Sequence, residues 1–162
     1  MIDIIKSKIL DNKRLCSVLE LARIQGKEIV FTNGCFDLLH QGHIDYLAKA
    51  RSLGDMLIVG LNTDDSIKRL KGNARPIQDE ESRALIMASL LFVDYVVMFD
   101  EDTPYNLIKK IQPNVLVKGA DYKKEDIVGY DIVESKGGKV MTLNYLEGYS
   151  TSGIIKKIIQ SQ

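Results

Sequence analysis

The chain alternates short apolar segments with segments of helical periodicity, and this alternation constrains the fold more than any other feature. The apolar segments 28–33, 56–61, 94–99, 115–118 and 140–143 are predicted to be strands. Helical segments lie between consecutive strands, and several of them are followed by glycine. Because parallel strands need crossover connections that helices supply, the pattern predicts a doubly wound α/β fold. We expect a five-stranded parallel sheet of Rossmann-like architecture, covered by helices on both faces, in a single domain.

Composition narrows the class of protein further. A length of 162 residues with 45% hydrophobic side chains suffices for one core and is short for two domains. The 22 basic and 22 acidic residues balance, which argues against nucleic acid or an anionic membrane as a partner. The apolar runs are far shorter than the roughly 20 residues that span a bilayer. Two cysteines and an N-terminus without a signal-peptide pattern predict a cytoplasmic protein.

The N-terminal part of the chain precedes the first predicted strand. Residues 12–24 place apolar side chains at helical spacing, and Gly26 follows as a candidate C-cap. We therefore expect residues 1–26 to form an N-terminal helical extension and residues 27–162 to form the main domain.

Doubly wound sheets bind their ligands outside the carboxyl ends of the strands, so the segments that follow the strands are the ones to search. These segments are 33–42, 62–75, 118–129 and 143–152, and they are rich in polar residues. The chain contains neither the P-loop pattern G-x-x-x-x-G-K-[ST] nor the dinucleotide pattern G-x-G-x-x-G. A bound phosphate must therefore be held by a different arrangement.

Both histidines of the chain, His40 and His43, lie at the predicted start of the helix that follows the first strand. Free backbone N–H groups and the positive end of the helix dipole favour an anion there, and Gly42 permits close approach. We interpret this segment as a phosphate site with two imidazoles as additional donors. A zinc site that includes Cys35 is the alternative, but the spacing C-x4-H-x2-H is not a familiar one for zinc.

The segment T-N-G-C-F-D-L-L-H-Q-G-H, residues 32–43, resembles the H-x-G-H signature of the nucleotidyltransferase superfamily and of its cytidylyltransferase-like branch. Further motifs follow in the order of that branch: R-L-K-G at 69–72, R-P at 75–76, E-S-R-A-L at 81–85, F-V-D at 92–94 and Y-S-T-S at 149–152. The resemblance extends from about residue 27 to residue 158. Within the branch, V-K-G-A-D-Y at 117–122, I-V-G at 127–129 and G-G-K-V at 137–140 are similar to the adenylyltransferases that make ADP-heptose.

This resemblance implies that the main domain is a nucleotidyltransferase domain. The implied reaction transfers the adenylyl group of ATP to D-glycero-β-D-manno-heptose 1-phosphate and releases pyrophosphate, in the synthesis of lipopolysaccharide or another surface glycan. The attacking phosphate oxygen is already an anion, so catalysis requires positioning and charge stabilisation rather than a protein nucleophile. Mg²⁺ is expected to accompany ATP, and the pattern does not identify its protein ligands.

We assign roles to the residues of these motifs. Those expected to act in catalysis are His40, His43, Lys71 and Arg83. Those expected to bind the nucleotide are Thr32, Asn33, Gly34, Phe36, Asp37, Gly119, Asp121, Ser150, Thr151 and Ser152. Those expected to bind the sugar phosphate are Asn62, Asp64, Arg75 and Lys118.

Two alternatives remain open on the residues alone. One is a cytidylyltransferase that acts on a polyol or amino-alcohol phosphate such as glycerol 3-phosphate, because Asp121 can accept from the exocyclic amine of either base. The other is a non-catalytic module that senses nucleotides. The chain also departs from the branch, because the stretch 144–147 lacks the arginine that usually precedes the Ser-Thr pair. Lys139 and Lys156 are the candidates to supply the phosphate contact that this arginine would make.

The resemblance also implies partners. Relatives in the branch often form dimers, so we expect a homo-oligomer. Related ADP-heptose enzymes are often fused to a sugar kinase, for which 162 residues leave no room, so a separate kinase is expected in the pathway.

Overall fold

A computed structural model describes residues 1–121 and 123–161 of the chain. Its centre is one parallel sheet with the strand order β1-β4-β3-β2-β5-β6. The strands are β1 (Ile9–Leu10), β2 (Ile29–Gly34), β3 (Met56–Asn62), β4 (Tyr95–Phe99), β5 (Val115–Gly119) and β6 (Lys139–Leu143). The doubly wound parallel α/β fold predicted from the sequence is therefore confirmed.

Eight α-helices and one short 3₁₀ turn, Lys124–Asp126, connect the strands within the described residues. The helices are α1 (Ile2–Ser7), α2 (Asn12–Ile24), α3 (Gln41–Arg51), α4 (Asp64–Lys71), α5 (Glu80–Ser89), α6 (Tyr105–Ile111), α7 (Tyr130–Ser135) and α8 (Thr151–Gln160). Side chains of Asp11, Thr63, Asp79 and Ser150 accept a hydrogen bond from the first turn of α2, α4, α5 and α8, respectively. These caps set where the four helices begin. None of the helices in the described residues is both long and apolar enough to cross a membrane.

The sheet has six strands rather than the five predicted. The additional strand, β1, lies in the segment 1–26 that the sequence predicted to be a helical extension, and its two residues pair with Val96 and Val97 of β4. A two-residue strand is too short to give a periodic signal, which explains why the sequence did not predict it. The segment 127–135, between the last two predicted strands, is helical only from Tyr130 onwards, because Gly129 has a φ of 89° and α7 begins after it.

Each face of the sheet carries its own hydrophobic core. One core packs Ile29 and Phe31 of β2 against α2, α6 and α7, and the other packs Val30 of β2 against α3 and α5. Successive residues of a strand point to opposite faces, so the buried run of β2 supplies both cores. This two-sided burial accounts for the apolar character of the central strands.

The chain leaves β2 in one direction towards β3 and β4 and later returns to the other side of β2 with β5 and β6. The order of the strands therefore reverses between β2 and β5. Helices on either side of such a reversal diverge and leave a crevice at the carboxyl ends of the two strands, which is where ligands bind in this class of fold.

Candidate active site

A cavity of about 790 Å³ opens at the carboxyl ends of the strands, across the point where the strand order reverses. Twelve of the residues predicted for the site line it. They are Asn33, Gly34, Phe36, Asp37, His43, Asn62, Lys71, Arg75, Lys118, Gly119, Thr151 and Ser152. Six others lie outside the lining: Thr32, His40, Asp64, Arg83, Asp121 and Ser150. The structure thus brings together residues from segments that are distant in the chain.

The two histidines stack on each other at the start of α3. Their ring centroids are 3.8 Å apart with an angle of 22° between the rings, and the Phe36 ring meets His43 edge-on at 5.2 Å. The Nδ1 atoms of both rings are buried and make no hydrogen bond within the described residues. Burial lowers the pKa of His43 to about 4, and the positive charges of His40 and Lys71 add to this effect. His43 is therefore neutral near pH 7, and it lines the cavity with its Nδ1 atom buried.

Gly42 supports this stack rather than opening the helix end directly to a ligand. A Cβ atom at Gly42 would lie 3.1 Å from the His40 ring and 3.3 Å from Cβ of Tyr149. These separations are tighter than ordinary contact, so a larger residue would displace the His40 ring or the loop before α8. The glycine therefore helps to set the position of the histidine pair.

Asp37 anchors the loop that carries Arg75. Its carboxylate accepts hydrogen bonds from Nη1 of Arg75 at 2.7 Å and from the backbone N–H groups of Ile77 and Gln78 at 2.8 to 3.0 Å. Burial by itself would raise the pKa of Asp37, but the hydrogen bonds from Gln78, Ile77 and Arg75 outweigh it and lower that pKa. Asp37 thus holds Arg75 at the wall of the cavity, which leaves little of its carboxylate for a ribose hydroxyl.

Arg83 is the largest of the fully buried side chains, at 1% exposure. It donates to the carbonyl oxygens of Cys35, Asn62 and Gln78 at 2.8 to 3.1 Å and forms an ion pair with Asp64 at 2.7 Å. The sequence predicted a catalytic role for Arg83 and binding of the sugar phosphate by Asp64. In the structure four of the five N–H groups of Arg83 are used in these contacts, so the two side chains hold together the loop after β2, the end of β3 and the loop before α5.

Lys118 and Asn33 meet where the strand order reverses. The Lys118 ammonium at the end of β5 donates to the Asn33 side-chain oxygen at the end of β2. Burial lowers the pKa of Lys118 to about 8, although the nearby Cys35 opposes this shift. Lys118 is therefore a cation near pH 7 that is already partly desolvated, as a group that contacts an anionic ligand would be.

The remaining predicted residues outside the lining have structural partners or face solvent. Thr32 is buried, and its hydroxyl shares a hydrogen bond of 2.8 Å with the hydroxyl of Tyr46. The Ser150 hydroxyl accepts the backbone N–H of Gly153 and caps α8, so that Thr151 and Ser152 reach the cavity from the next positions. Asp121 is exposed in the turn after β5.

The sequence missed several lining residues. Asp102, Thr103 and Pro104 follow β4, whose carboxyl end lies at the same edge of the sheet, so the rule that predicted the other segments also applies to this one. Tyr46 is a single aromatic residue in a helix, and no sequence signal distinguished it from a core residue. Tyr145 lies in the segment 143–152 that follows a predicted strand, but it belongs to no motif. The arginine absent from the stretch 144–147 is not replaced by Lys139, which begins β6 at the opposite end of the strand.

The carboxylates of the site do not form a metal centre by themselves. Within the described residues, no group of three or more His, Cys, Asp or Glu side chains is placed to hold a metal ion. Asp37 is occupied by Arg75, and Asp102 pairs with Arg69 at 2.8 Å. This donor set fits Mg²⁺ only as an ion that is held mainly by phosphate oxygens and water, which is how Mg²⁺ commonly accompanies nucleoside triphosphates.

Comparison with known proteins shows which family the chain resembles. A family model described as cytidylyltransferase-like matches residues 31–157. The bifunctional protein HldE of Campylobacter concisus is 58% identical over 149 residues, which cover 90% of this chain and 31% of that protein. HldE of Syntrophotalea carbinolica is 56% identical, with 94% and 31% covered. The chain thus spans about a third of the length of these curated relatives.

Two solved structures resemble the fold. The lipopolysaccharide core biosynthesis protein of Thermoplasma volcanium aligns with a TM-score of 0.62 and 30% identity, over 77% of this chain and all of that one. Pantoate-beta-alanine ligase of Francisella tularensis aligns with the same TM-score at 20% identity, over 95% of this chain and 79% of that one, and shows the fold alone. The matched family model and the 30% identity over the whole of the first structure show that the chain belongs to the cytidylyltransferase-like family of nucleotidyltransferases.

Proposed function

We propose that the chain transfers the adenylyl group of ATP to D-glycero-β-D-manno-heptose 1-phosphate, forming ADP-heptose and pyrophosphate. The observation that carries this proposal is the cavity itself, which is lined both by His43 at the start of α3 and by the cations Lys71, Arg75 and Lys118. Such a cavity suits two phosphorylated substrates that must be brought together. The high identity to HldE proteins and the likeness to a lipopolysaccharide core biosynthesis protein support a heptose as the acceptor.

The reaction is an in-line displacement at the α-phosphorus of ATP. A phosphate oxygen of the sugar 1-phosphate forms the new P–O bond, and the bond between the α-phosphorus and the bridging oxygen breaks as pyrophosphate leaves. The nucleophile carries its negative charge from the start, so no side chain has to remove a proton from it. The main barrier is the repulsion among phosphates, which the protein lowers with positive charge and N–H donors.

The positions of the lining residues suggest a division of this work. Lys71 and Arg75, on the side of β3, hold the acceptor phosphate. His43 and the first turn of α3 donate to the α-phosphate, where charge develops as the bond to pyrophosphate breaks. Thr151 and Ser152, at the start of α8, hold the β- and γ-phosphates with their hydroxyls and backbone N–H groups.

Mg²⁺ bound to the triphosphate would neutralise part of its charge and help the pyrophosphate to leave. Asp126, which lines the cavity, is the carboxylate that could add a protein ligand to that ion.

The cytoplasmic location, the homo-oligomer and the separate sugar kinase that makes the 1-phosphate stay predictions of the sequence.

The test is a pyrophosphate-release assay with ATP or CTP and a panel of acceptors that includes the heptose 1-phosphate and glycerol 3-phosphate. We expect turnover with ATP and the heptose 1-phosphate, and a product with the mass of ADP-heptose. Turnover with CTP and glycerol 3-phosphate instead would replace the proposal with a cytidylyltransferase. Binding of ATP without turnover on the whole panel would indicate a nucleotide sensor.

A further inference from the structure

The cavity has two chemically different sides. On the side of β3 and β4 it is lined by the charged groups Lys71, Arg75 and Asp102. On the side of β5 and β6 the charged groups Lys118 and Asp126 also line it, but this side adds an apolar surface formed by Ile127, Val128 and a tyrosine ring. A sugar phosphate is charged and rich in hydroxyls, whereas a nucleobase is flat and uncharged, so the two sides suit the two parts of a sugar-nucleotide product.

Tyr145 supplies the ring on the side of β5 and β6. It follows β6 and is half-exposed, and its phenol end lies directly on the backbone of Gly119, where an added Cβ atom would collide with it. Its ring also lies 5.9 Å from the ring of Tyr46, with an angle of 31° between the two planes. Tyr46 is itself buried and hydrogen-bonded to Thr32, so it is a fixed support for Tyr145.

The backbone next to Tyr145 is tied to the end of β5. The N–H of Ala120 donates to the carbonyl oxygen of Leu143 at 3.0 Å, two residues before the tyrosine. The loop that carries the ring therefore starts from a fixed point beside Gly119. This arrangement places an aromatic surface at a defined position in the cavity, between the strand ends and the start of α8.

From this arrangement we infer that Tyr145 is the aromatic platform for the nucleobase and a specificity-determining residue that favours a purine over a pyrimidine triphosphate. The inference rests on the proposed function, because it assumes that the ligand on this side is a nucleotide. Bases stack on aromatic side chains, and the larger purine ring system gains more contact from such a platform. Because Gly119 has no side chain, there is space for the Tyr145 ring to lie against its backbone.

The first experiment compares Tyr145→Leu and Tyr145→Phe with the unaltered chain. Calorimetry measures the affinities for MgATP, MgCTP and inorganic tripolyphosphate, which carries the phosphates without a base. We expect Tyr145→Leu to weaken ATP binding about tenfold and to lower the ratio of ATP to CTP affinity at least about threefold, with tripolyphosphate affinity unchanged within about twofold. Tyr145→Phe keeps the ring, so its affinities stay within about twofold.

A second variant displaces the Tyr145 ring by a change at a neighbouring residue and leaves the tyrosine itself in place. Gly119→Ala forces the phenol end of Tyr145 aside, and because that end is the tip of a side chain, we expect little loss of thermal stability. The ratio of ATP to CTP affinity should nevertheless fall as in Tyr145→Leu. The matched control is Tyr105→Leu, a similarly exposed tyrosine that bonds to Asp131 and does not line the cavity, and it should leave all three affinities unchanged.

Three results would overturn the inference: equal losses of ATP and tripolyphosphate affinity in Tyr145→Leu, an unchanged ratio of ATP to CTP affinity, or a preference of the unaltered chain for CTP. Failure of the proposed reaction looks different. If the unaltered chain makes no ADP-heptose but Tyr145→Leu still loses ATP affinity selectively, the proposed acceptor is wrong and the base platform stands.

Discussion

Replacing Arg83 by glutamine distinguishes direct contact with a phosphate from support of the loops around the cavity. The buried guanidinium bonds to carbonyl oxygens of three loops and to the Asp64 carboxylate. Glutamine is shorter and neutral, and its amide has two N–H groups in place of five. The variant therefore leaves Asp64 without its ion-pair partner and leaves at least one of the three carbonyl oxygens unpaired.

The expected loss of stability follows from these contacts. Removing one partner of a buried ion pair costs about 3 to 5 kcal/mol, and Asp64 is a quarter exposed, which favours the lower end of that range. Domains of this size have a free energy of unfolding of roughly 5 to 15 kcal/mol, so the variant loses a large part of it. With an m value of about 2 kcal/mol/M, the urea midpoint should fall by about 1.5 M.

Urea denaturation and steady-state kinetics at a temperature well below unfolding together decide between the two roles. Arg83→Lys keeps the charge but cannot reach all four acceptors, so we expect an intermediate loss of stability. Arg14→Gln is the control, because Arg14 also bonds to two carbonyl oxygens but is exposed, and it should change the free energy of unfolding by less than about 1 kcal/mol. If Arg83→Gln abolishes turnover while its urea midpoint stays within the range of that control, Arg83 contacts the phosphates and the loop-support explanation is wrong.

Three further predictions concern His43 and Asp37. His43→Ala should lower kcat about 10²- to 10³-fold with little change in the Kd of ATP, because it removes a donor that matters most as charge develops; equal losses in both would show a ground-state contact. Since the pKa of His43 is about 4 when folded and about 6.5 when unfolded, the unfolded chain binds more protons between these values. The free energy of unfolding should therefore fall by about 2.5 kcal/mol from pH 6.5 to pH 4. His43→Gln should flatten this part of the profile in urea titrations, and an equally steep profile would assign the effect to other groups. Asp37→Asn releases Arg75, so it should raise the KM for the sugar phosphate several-fold more than the KM for ATP, and an equal rise in both would contradict its role as an anchor.

Much of the fold could be predicted from the sequence because the central strands are buried on both faces. The strands β2 to β5 are five to seven residues long and each contains at least three consecutive apolar residues. Their separation by helices left parallel pairing as the simplest arrangement. The strand β1 was not predictable in this way, since Ile9 and Leu10 gain their order from pairing with β4 and not from their own pattern. Whether such a short strand forms depends on contacts between segments that are distant in the chain.

The sequence could predict which segments of the chain meet at the site, but not which of their side chains face the cavity. A motif identifies a residue type at a position but does not say whether its side chain faces the ligand or the protein. Thr32 and Arg83 both belong to motifs, and both point into the protein, where they position Tyr46 and the loops. Tyr145 shows the reverse case, in which a residue that matches no motif lies in the cavity because Gly119 leaves room for it.

The histidine pair shows why neutral donors suit the centre of this site better than fixed charges. Two lysines in place of His40 and His43 would put two positive charges about 4 Å apart in a partly buried place, where their repulsion and desolvation would be costly. Neutral imidazoles can instead stack, and the low pKa of His43 keeps it uncharged while the cavity holds no anion. A triphosphate beside the ring favours its protonated form and raises that pKa, so positive charge becomes available when phosphate charge is present to pair with it. In the proposed reaction, Lys71 and Arg75 at the more open wall attract the acceptor phosphate before transfer begins.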